Sequence, residues 1–192
     1  KLLSLDNKSL VLEIASNDGC LIENFKKKRI KSIGVEPTKL AAKISQKKGI
    51  YTIQKFFNLG LAKKILKTHG KADLVCANNV FAHVPNINDF VKSLKLIISN
   101  DGVITLEFPH LLNLIKNTLF DTIYHEHFSY LSLTTTQIIV SKYGLKIFDV
   151  EQIKTHGGSL RVYLCHENSK RKVNIRVKKF LEKEKKYGLF KI

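Results

Sequence analysis

The sequence predicts an α/β fold, in which a mostly parallel sheet ends in an antiparallel hairpin. Short apolar runs alternate with amphipathic helical segments over about the first 165 residues, the order expected when helices connect parallel strands. The last two apolar runs are separated only by residues 154–158, which is too short for a helical crossover. With 192 residues, of which 44% are hydrophobic and 26% charged, the chain is long enough to bury one core.

Each predicted strand is an apolar run bounded by turn residues. Residues 9–14 form a continuous apolar run that is typical of a buried parallel strand, and the turn sequence Asn17-Asp18-Gly19 follows it. The other predicted strands cover residues 32–36, 50–53, 72–77, 102–108, 145–153 and 159–166.

The segments between these runs carry apolar residues at helical spacing. One helix begins near Leu21, with Thr38 as the candidate N-cap of the next helix and Gly49 as its C-terminal stop. The helices after the first are expected at residues 38–48, 59–68, 88–99 and 136–143. The topology that results is five α/β units closed by a hairpin.

We predict two regions along the chain. Residues 1–166 form the α/β domain, and residues 167–192 form a charged helical linker that starts a truncated C-terminal region. This last helical pattern ends without an evident cap, and the chain contains no methionine. Both features suggest an internal segment of a longer protein.

The net charge of +17 at pH 7 raises the question of a nucleic-acid partner. From residue 167 onward there are ten Lys/Arg and three Asp/Glu, and only four of the 33 basic residues are arginines. Arginine is the side chain best suited to bidentate contacts with bases and phosphates. We therefore interpret the charge as lysine-rich composition on solvated surfaces and expect no specific nucleic-acid partner, although an acidic substrate would benefit from it.

Cysteine usage and hydropathy exclude several other classes of protein. Cys20, Cys76 and Cys165 are odd in number and lack a C-x-x-C pair, which favours reduced cytoplasmic thiols over a disulfide framework or a zinc site. No apolar run approaches the ~20 residues that a bilayer crossing needs, and no signal peptide is evident. We therefore expect a cytoplasmic location and no membrane partner.

Polar residues follow the first two predicted strands, at the sheet edge where α/β proteins bind ligands. The first strand contains Glu13, and the residues Asn17 and Asp18 stand where a dinucleotide-binding loop would have glycine. The Asp18 carboxylate would repel phosphate and suits a cationic or zwitterionic ligand better. Glu36 ends the second strand, 17 residues beyond Gly19, close to the spacing of about 20 at which an acid binds a ribose diol. The combination favours an adenosine-type cofactor; the alternative is a plain turn and a loop acid.

At this point the sequence resembles the S-adenosylmethionine-dependent sugar C-methyltransferases, which methylate a carbon of nucleotide-linked keto-deoxysugars. Five blocks carry the resemblance, in family order and over nearly the whole chain to about residue 166. They are residues 11–19 (VLEIASNDG), 34–37 (GVEP), 77–85 (ANNVFAHVP), 123–127 (IYHEH) and 156–161 (HGGSLR). The cysteine-rich zinc module that precedes this domain in the family, and most of the C-terminal domain, are missing.

The resemblance implies a Rossmann-like class I methyltransferase sheet, the cofactor S-adenosyl-L-methionine and a nucleotide-sugar substrate. The residues that it assigns to the cofactor are Glu13, Asn17, Asp18 and Gly19 at the methionine part, Glu36 at the ribose, Phe56 and Phe57 at the adenine, and Asn78 and Asn79 at the closing wall of the pocket. The missing modules are each expected to contribute to the sugar-nucleotide site.

Methylating a carbon next to a carbonyl requires a base that removes the α-proton and a donor for the enolate oxygen. The segment YHEH, which ends at His127, offers both. We predict His127 as the base, Glu126 as its orienting partner and Tyr124 as the donor. His83 matches another active-site position of the family, with capping of its loop as the alternative. A metal site on the two histidines of the segment lacks a third ligand pattern, so we predict no metal.

The predicted hairpin has two open interpretations. His156-Gly157-Gly158 is a sequence that a tight turn requires. Alternatively, His156, Ser159 and Arg161 at its mouth contact the phosphate of the substrate. Glu107, at the end of the fifth predicted strand, lies at the site edge with no role assigned.

Two other functions stay open from the sequence. One is an RNA or other small-molecule methyltransferase, which the basic charge encourages. Base-amino methylation usually relies on an Asn/Asp-Pro-Pro-aromatic turn after the fourth strand, whereas residues 78–81 here read NNVF. The other is a fragment that binds the cofactor without turnover.

Overall fold

A single seven-stranded sheet organises the protein in the computed structural model, which describes residues 3–189 except for the side chain of His156. The strands are β1 (Leu10–Ile14), β2 (Lys31–Val35), β3 (Thr52–Ile53), β4 (Ala72–Asn78), β5 (Ile98–Pro109), β6 (Leu145–Ile153) and β7 (Ser159–His166). Their order in the sheet is β3-β2-β1-β4-β5-β7-β6. The first five strands are parallel, and β7 runs antiparallel between β5 and β6. The predicted α/β sheet with a final antiparallel hairpin is confirmed.

Helices connect the strands at the predicted places, with ends that differ by a few residues. They are α1 (Ile22–Lys27), α2 (Lys39–Lys47), α3 (Leu59–His69), α4 (Ile87–Ile97), α5 (Leu111–Lys116), α6 (Leu133–Ser141) and α7 (Ile175–Tyr187). The short helix α5 was not predicted. The proposed cap at Thr38 is corrected, because its side chain makes no capping bond; its backbone N–H instead donates to Glu36 Oε1 over 2.8 Å.

The core is divided between the two faces of the sheet. Right-handed crossovers put α1 and α2 on one face and α3 and α4 on the other. The larger apolar cluster includes Leu61 and Ile65 of α3, Phe90 of α4 and Val140 of α6. A smaller cluster around Val11 packs against α1. The strands of this core are apolar almost throughout, as expected for parallel strands that are covered on both faces.

Helix α7 packs on the domain, although the sequence suggests a linker there. Val177 is buried in the larger cluster, and the Arg176 guanidinium pairs with Asp149 on β6. The expectation of an uncapped end is corrected as well. Gly188 adopts the left-handed conformation with φ 88°, and its N–H donates to the carbonyl oxygens of Glu184 and Lys185. The predicted boundary after His166 stays a prediction.

The strand order places a ligand crevice at the carboxyl ends of β1, β2 and β4. The chain moves outward from β1 to β2 and then returns to the other side of β1 at β4, so the loops after these strands diverge. Within residues 3–189, no helix combines the length and the hydrophobicity that spanning a bilayer requires.

Candidate active site

Glu36 joins the loops that follow β1 and β2. Its buried carboxylate accepts the backbone N–H of Asn17 at Oε2 over 2.9 Å and that of Thr38 at Oε1 over 2.8 Å. Asn17 can turn the chain toward Glu36 because its φ is 48°, and Gly19 follows with φ 79°. Each carboxylate oxygen still has a lone pair, so two more donors can be accepted at this point.

Buried oxygen atoms without a hydrogen-bond partner gather beside Glu36. Of the five such side-chain atoms among the described residues, four lie at the ends of the neighbouring strands β1 and β4. They are Glu13 Oε2, Ser16 Oγ, Asn78 Oδ1 and Asn79 Oδ1. A buried acceptor without a donor costs about 1–3 kcal/mol, so this crevice fits a ligand that brings several donors. Ser16 was not predicted, although it lies inside the first sequence block.

The charge of Glu13 in the crevice depends on pH and on whether a cation is bound nearby. The pKa of its carboxyl is raised to about 8, mainly by burial. The negative charges of Asp18 and Glu36 also raise this pKa, whereas the hydrogen bond from the backbone N–H of Ile22 lowers it. The carboxyl is therefore largely neutral at pH 7 while no cation is near. A ligand with an ammonium or sulfonium group would favour its ionised form.

The other residues predicted for the cofactor are arranged less uniformly. Asp18 is partly exposed and forms an ion pair with Lys48 over 2.7 Å. The hydrogen bond from Lys48 is the main reason why the pKa of Asp18 is lowered. Phe57 packs edge-on against Phe90 in the core, with ring centroids 5.6 Å apart. Phe56, by contrast, is 77% exposed and is free to cover a ligand. The cofactor roles of these residues stay predictions.

The structure brings three of the predicted catalytic side chains together. The rings of His83 and His127 lie 4.6 Å apart between centroids, and those of Tyr124 and His127 lie 4.2 Å apart. The Tyr124 hydroxyl is 3.1 Å from His127 Nε2. His83 reaches this point from a 3₁₀ turn (Phe81–His83) that follows β4, whereas the other two residues lie between α5 and α6.

Backbone carbonyl groups determine the tautomers of both histidines. His127 Nδ1 lies 2.7 Å from the carbonyl oxygen of Thr122, and His83 Nδ1 lies 2.9 Å from that of Glu126. A carbonyl oxygen only accepts, so each Nδ1 carries the proton and each Nε2 has a free lone pair. At His127 this lone pair accepts the hydrogen bond of the Tyr124 hydroxyl.

The group that contacts His127 Nδ1 is not Glu126, whose orienting role stays a prediction. The side chain of Glu126 is exposed and makes no hydrogen bond within the described residues, whereas the Thr122 carbonyl holds His127. Sequence inspection could not find Thr122, because it acts through a backbone atom that every residue has. Among the described residues, no group of three His, Cys, Asp or Glu side chains is arranged to hold a metal ion.

The hairpin residues are engaged with the protein itself. Arg161 donates from Nη2 to Glu107 Oε2 over 2.8 Å and from Nε over 3.3 Å, across the β5–β7 register. Burial lowers the pKa of Arg161, but the Glu107 carboxylate outweighs this and raises it overall. Ser159 is fully buried, and its hydroxyl donates to the Thr155 carbonyl over 3.2 Å. These contacts fit the turn interpretation better than phosphate binding. The side chain of His156 lies outside the described part of the structure.

An apolar cavity of about 420 Å³ adjoins the segment that carries Tyr124 and His127. Thr122, Ile123 and Tyr130 contribute to its wall from that segment. The rest of its lining comes from α5 and the turn after it, at Leu111, Leu114, Ile115, Thr118, Leu119 and Phe120. The open wall of the cavity is apolar, and the hydroxyl of Thr122 donates to the Leu119 carbonyl over 2.7 Å at its edge.

Comparisons with known protein families agree with this geometry. Residues 1–150 match the family model described as a methyltransferase domain, and residues 154–192 match the one described as a C-methyltransferase C-terminal domain. The C-methyltransferase NovU from Streptomyces niveus is 33% identical over 187 residues, which are 97% of this chain and 44% of that protein. The chain thus spans less than half the length of this curated relative.

Solved structures with the same fold are more distant in sequence. The YcgJ protein from Bacillus subtilis aligns with a TM-score of 0.66 at 13% identity, over 86% of this chain and 95% of that one. Magnesium protoporphyrin IX methyltransferase (ChlM) from Synechocystis PCC 6803, crystallised with bound SAH, aligns with a TM-score of 0.64 at 15% identity, over 86% and 76%. At these identities the likeness concerns the fold alone.

The two family models match this chain in sequence order, and the sheet has the antiparallel end that the resemblance implies. The cofactor of such proteins is S-adenosylmethionine, whose cationic end suits the crevice beside Glu13. The chain belongs to the S-adenosylmethionine-dependent methyltransferases, and its residues 154–192 are similar to the C-methyltransferase C-terminal domain.

Proposed function

We propose that this protein is a C-methyltransferase that methylates a carbon of a nucleotide-linked keto-deoxysugar, next to the keto group. The observation that carries the proposal is the position of His127 Nε2, which lies 3.1 Å from the Tyr124 hydroxyl and carries no proton in the tautomer that the Thr122 carbonyl favours. The name of the relative NovU supports methyl transfer to carbon, and the five sequence blocks support the sugar substrate. A cytoplasmic location is part of the proposal, supported by the exposed, unpaired thiol of Cys20.

The cofactor would bind in the crevice at the ends of β1, β2 and β4. The two free lone pairs of the Glu36 carboxylate suit the two hydroxyl groups of a ribose. Glu13, Asn78 and Asn79 offer buried acceptors to the ammonium group and to other donors. When bound, S-adenosylmethionine supplies a methyl group on a cationic sulfur, and the bond to sulfur breaks as the new carbon–carbon bond forms.

His127 and Tyr124 supply the proton chemistry. His127 Nε2 takes the α-proton of the keto sugar, and the electron pair of that C–H bond forms the enolate, which attacks the methyl group. The resulting imidazolium keeps its Nδ1–H bond to the Thr122 carbonyl, which stabilises the added charge. The Tyr124 hydroxyl, now bonded to His127, turns to the keto oxygen and donates to the developing oxyanion.

Proton exchange without methylation tests this assignment. The intact protein is incubated with the demethylated cofactor and a nucleotide-linked keto-deoxysugar in deuterated water, and the α-proton is followed by NMR. We expect exchange in the parent protein. His127→Asn should abolish it with cofactor affinity nearly unchanged, because the variant loses a transition-state interaction and keeps the ground-state ones. Tyr124→Phe should slow both exchange and methylation roughly 10²–10³-fold.

The neighbouring exposed histidine provides the matched control. His125→Asn should exchange at the parent rate, because no contact in the described structure links His125 to the base. Exchange that survives in His127→Asn and disappears in His83→Asn would assign the base to His83 instead. Unchanged exchange in both variants would remove histidine from this role.

A further inference from the structure

Glu184 is a buried carboxylate on α7, far along the chain from the candidate active site. Both of its oxygens accept hydrogen bonds. Oε1 accepts from His110 Nε2 over 2.7 Å and from the Leu133 N–H over 2.6 Å, and Oε2 accepts from the N–H and the hydroxyl of Thr134 over 2.9 and 2.8 Å. Burial would raise the pKa of Glu184, but these hydrogen bonds lower it below its ordinary value. The carboxylate is therefore ionised and saturated.

The donors belong to elements that border the catalytic segment, by which we mean residues 122–130. His110 follows the end of β5, and its backbone pairs with Leu131, immediately after the segment. The Leu111 N–H also donates to the Leu131 carbonyl over 2.9 Å. Leu133 begins α6 two residues later. Glu184 thus binds both sides of the place where the catalytic segment ends.

The same end of the catalytic segment is also attached to the loop that carries His83. The N–H groups of Phe128 and Ser129 donate to the Ala82 carbonyl over 2.9 and 3.2 Å. The beginning of the segment is held by the turn after α5, where the N–H and the hydroxyl of Thr122 donate to the Leu119 carbonyl over 3.3 and 2.7 Å. His127 therefore lies between this turn and an end of the segment that is held twice, by the Ala82 carbonyl and by the elements that Glu184 joins.

Helix capping accounts for only part of the contacts that Glu184 makes. Ser132 accepts the N–H of Thr135 over 3.0 Å, and Glu184 accepts those of Leu133 and Thr134 at the start of α6. Glu184 also binds His110, which lies outside this helix. Burial of a charged pair is in general weak evidence for stability, because desolvation offsets the attraction between the charges. A carboxylate that is held ionised between three elements is better suited to fixing their relative positions.

We propose that Glu184 is a positioning residue for His127, which fixes the end of the catalytic segment so that the imidazole meets the α-proton of the substrate. The inference rests on the proposed function, in which His127 is the base. It also gives the residues that match the C-methyltransferase C-terminal domain a direct connection to the catalytic segment.

The test compares Glu184→Gln with Glu182→Gln, an exposed carboxylate on the same helix. The glutamine nitrogen cannot accept, so part of the four-bond set is removed at position 184. Histidine Cε1–Hε1 NMR signals are recorded over pH, with those of His83 and His127 identified by their loss in the Asn variants. We expect the signal and titration of His127 to move in Glu184→Gln and to stay unchanged in Glu182→Gln.

The exchange assay supplies the second readout. We expect α-proton exchange in Glu184→Gln to slow by roughly 10–100-fold in rate constant, with little change in KM or cofactor affinity, because misplacing a catalytic group by ~1 Å can cost ~10²-fold. An unchanged His127 signal and exchange rate would overturn the proposal. If the parent protein exchanges no proton but the His127 signal responds, the proposed function fails and the positioning role stands.

A milder variant covers the case in which Glu184→Gln does not fold. Thr134→Val removes only the hydroxyl bond to Glu184 Oε2 and keeps the carboxylate. We expect a smaller change of the His127 signal and a smaller loss of exchange, in the same direction. If Thr134→Val folds and leaves both unchanged, the proposal is wrong.

Discussion

At the residue scale, we predict that Glu13 couples cofactor binding to pH. Burial first, and the neighbouring carboxylates next, raise its pKa to about 8 in the ligand-free protein. A cationic ligand lowers that pKa, so binding below pH 8 releases a proton. Cofactor affinity should therefore rise with pH up to about 8 and then level off.

Glu13 should also make the stability of the ligand-free protein depend on pH. The free energy of unfolding should fall between about pH 4.5 and pH 8, because the unfolded chain loses this proton at lower pH than the folded protein does.

Glu13→Gln should remove both effects, since the amide does not titrate. Calorimetry in two buffers of different ionisation enthalpy should detect proton release at pH 7 for the parent protein and none for the variant. The slope of unfolding free energy, at most about 1.4 kcal/mol per pH unit, should disappear as well. Glu23→Gln is the control, because Glu23 is a half-buried carboxylate whose ion-pair partner is Lys27. Binding without proton release in the parent protein would contradict the placement of the cationic group beside Glu13.

At the element scale, the turn of the β6–β7 hairpin packs closely against α5. Gly158 has φ 110°, and a Cβ there would lie 2.6 Å from Asn113 Nδ2, which donates to the Gly158 carbonyl. Gly158→Ala should lower the free energy of unfolding by about 1–3 kcal/mol through strain, plus the displacement of Asn113. Gly70→Ala is the matched control, with φ 86° and no atom within 4 Å. If chemical denaturation shows the same loss of unfolding free energy in Gly158→Ala and in Gly70→Ala, the close packing of the turn is contradicted.

The elements differ in how far the sequence predicts them. The bounds of β6 and β7 agree with the prediction, because each is an apolar run between turn residues. Helix α5 has the sequence LLNLIK, which is apolar on most sides and shows no amphipathic pattern to recognise. Glu13, Glu36 and His127 could be proposed from the sequence because their side chains are titratable or ionic and lie in recognisable sequence blocks. Thr122 and Glu184 could not, because one acts through its backbone and the other depends on tertiary packing.

At the scale of the whole molecule, three of the four arginines bind groups of the protein itself. Arg161 pairs with Glu107, Arg176 pairs with Asp149, and Arg171 donates to the Asp101 carbonyl while it lies over the Phe148 ring, 5.4 Å from its centroid. Lysines on α2, α3 and α7 account for much of the remaining positive charge, and they are point charges on mobile stems. Most of the groups best suited to reading bases are therefore engaged, and the net charge of +17 resides mainly in side chains that attract any polyanion.

This distribution predicts nucleic-acid binding that is weak, insensitive to sequence and steeply dependent on salt. Fluorescence anisotropy with single-stranded and duplex oligonucleotides of unrelated sequence should give similar affinities in each class. Those affinities should fall by orders of magnitude between about 50 and 200 mM salt, since counterion release provides the driving force. In the double variant Lys183→Gln and Lys186→Gln on α7, the slope of log affinity against log salt concentration should become shallower by roughly one for each phosphate that a lysine no longer neutralises. Cofactor affinity should not change. Tight, sequence-selective RNA binding that persists at physiological salt would contradict the sugar substrate and favour an RNA methyltransferase instead.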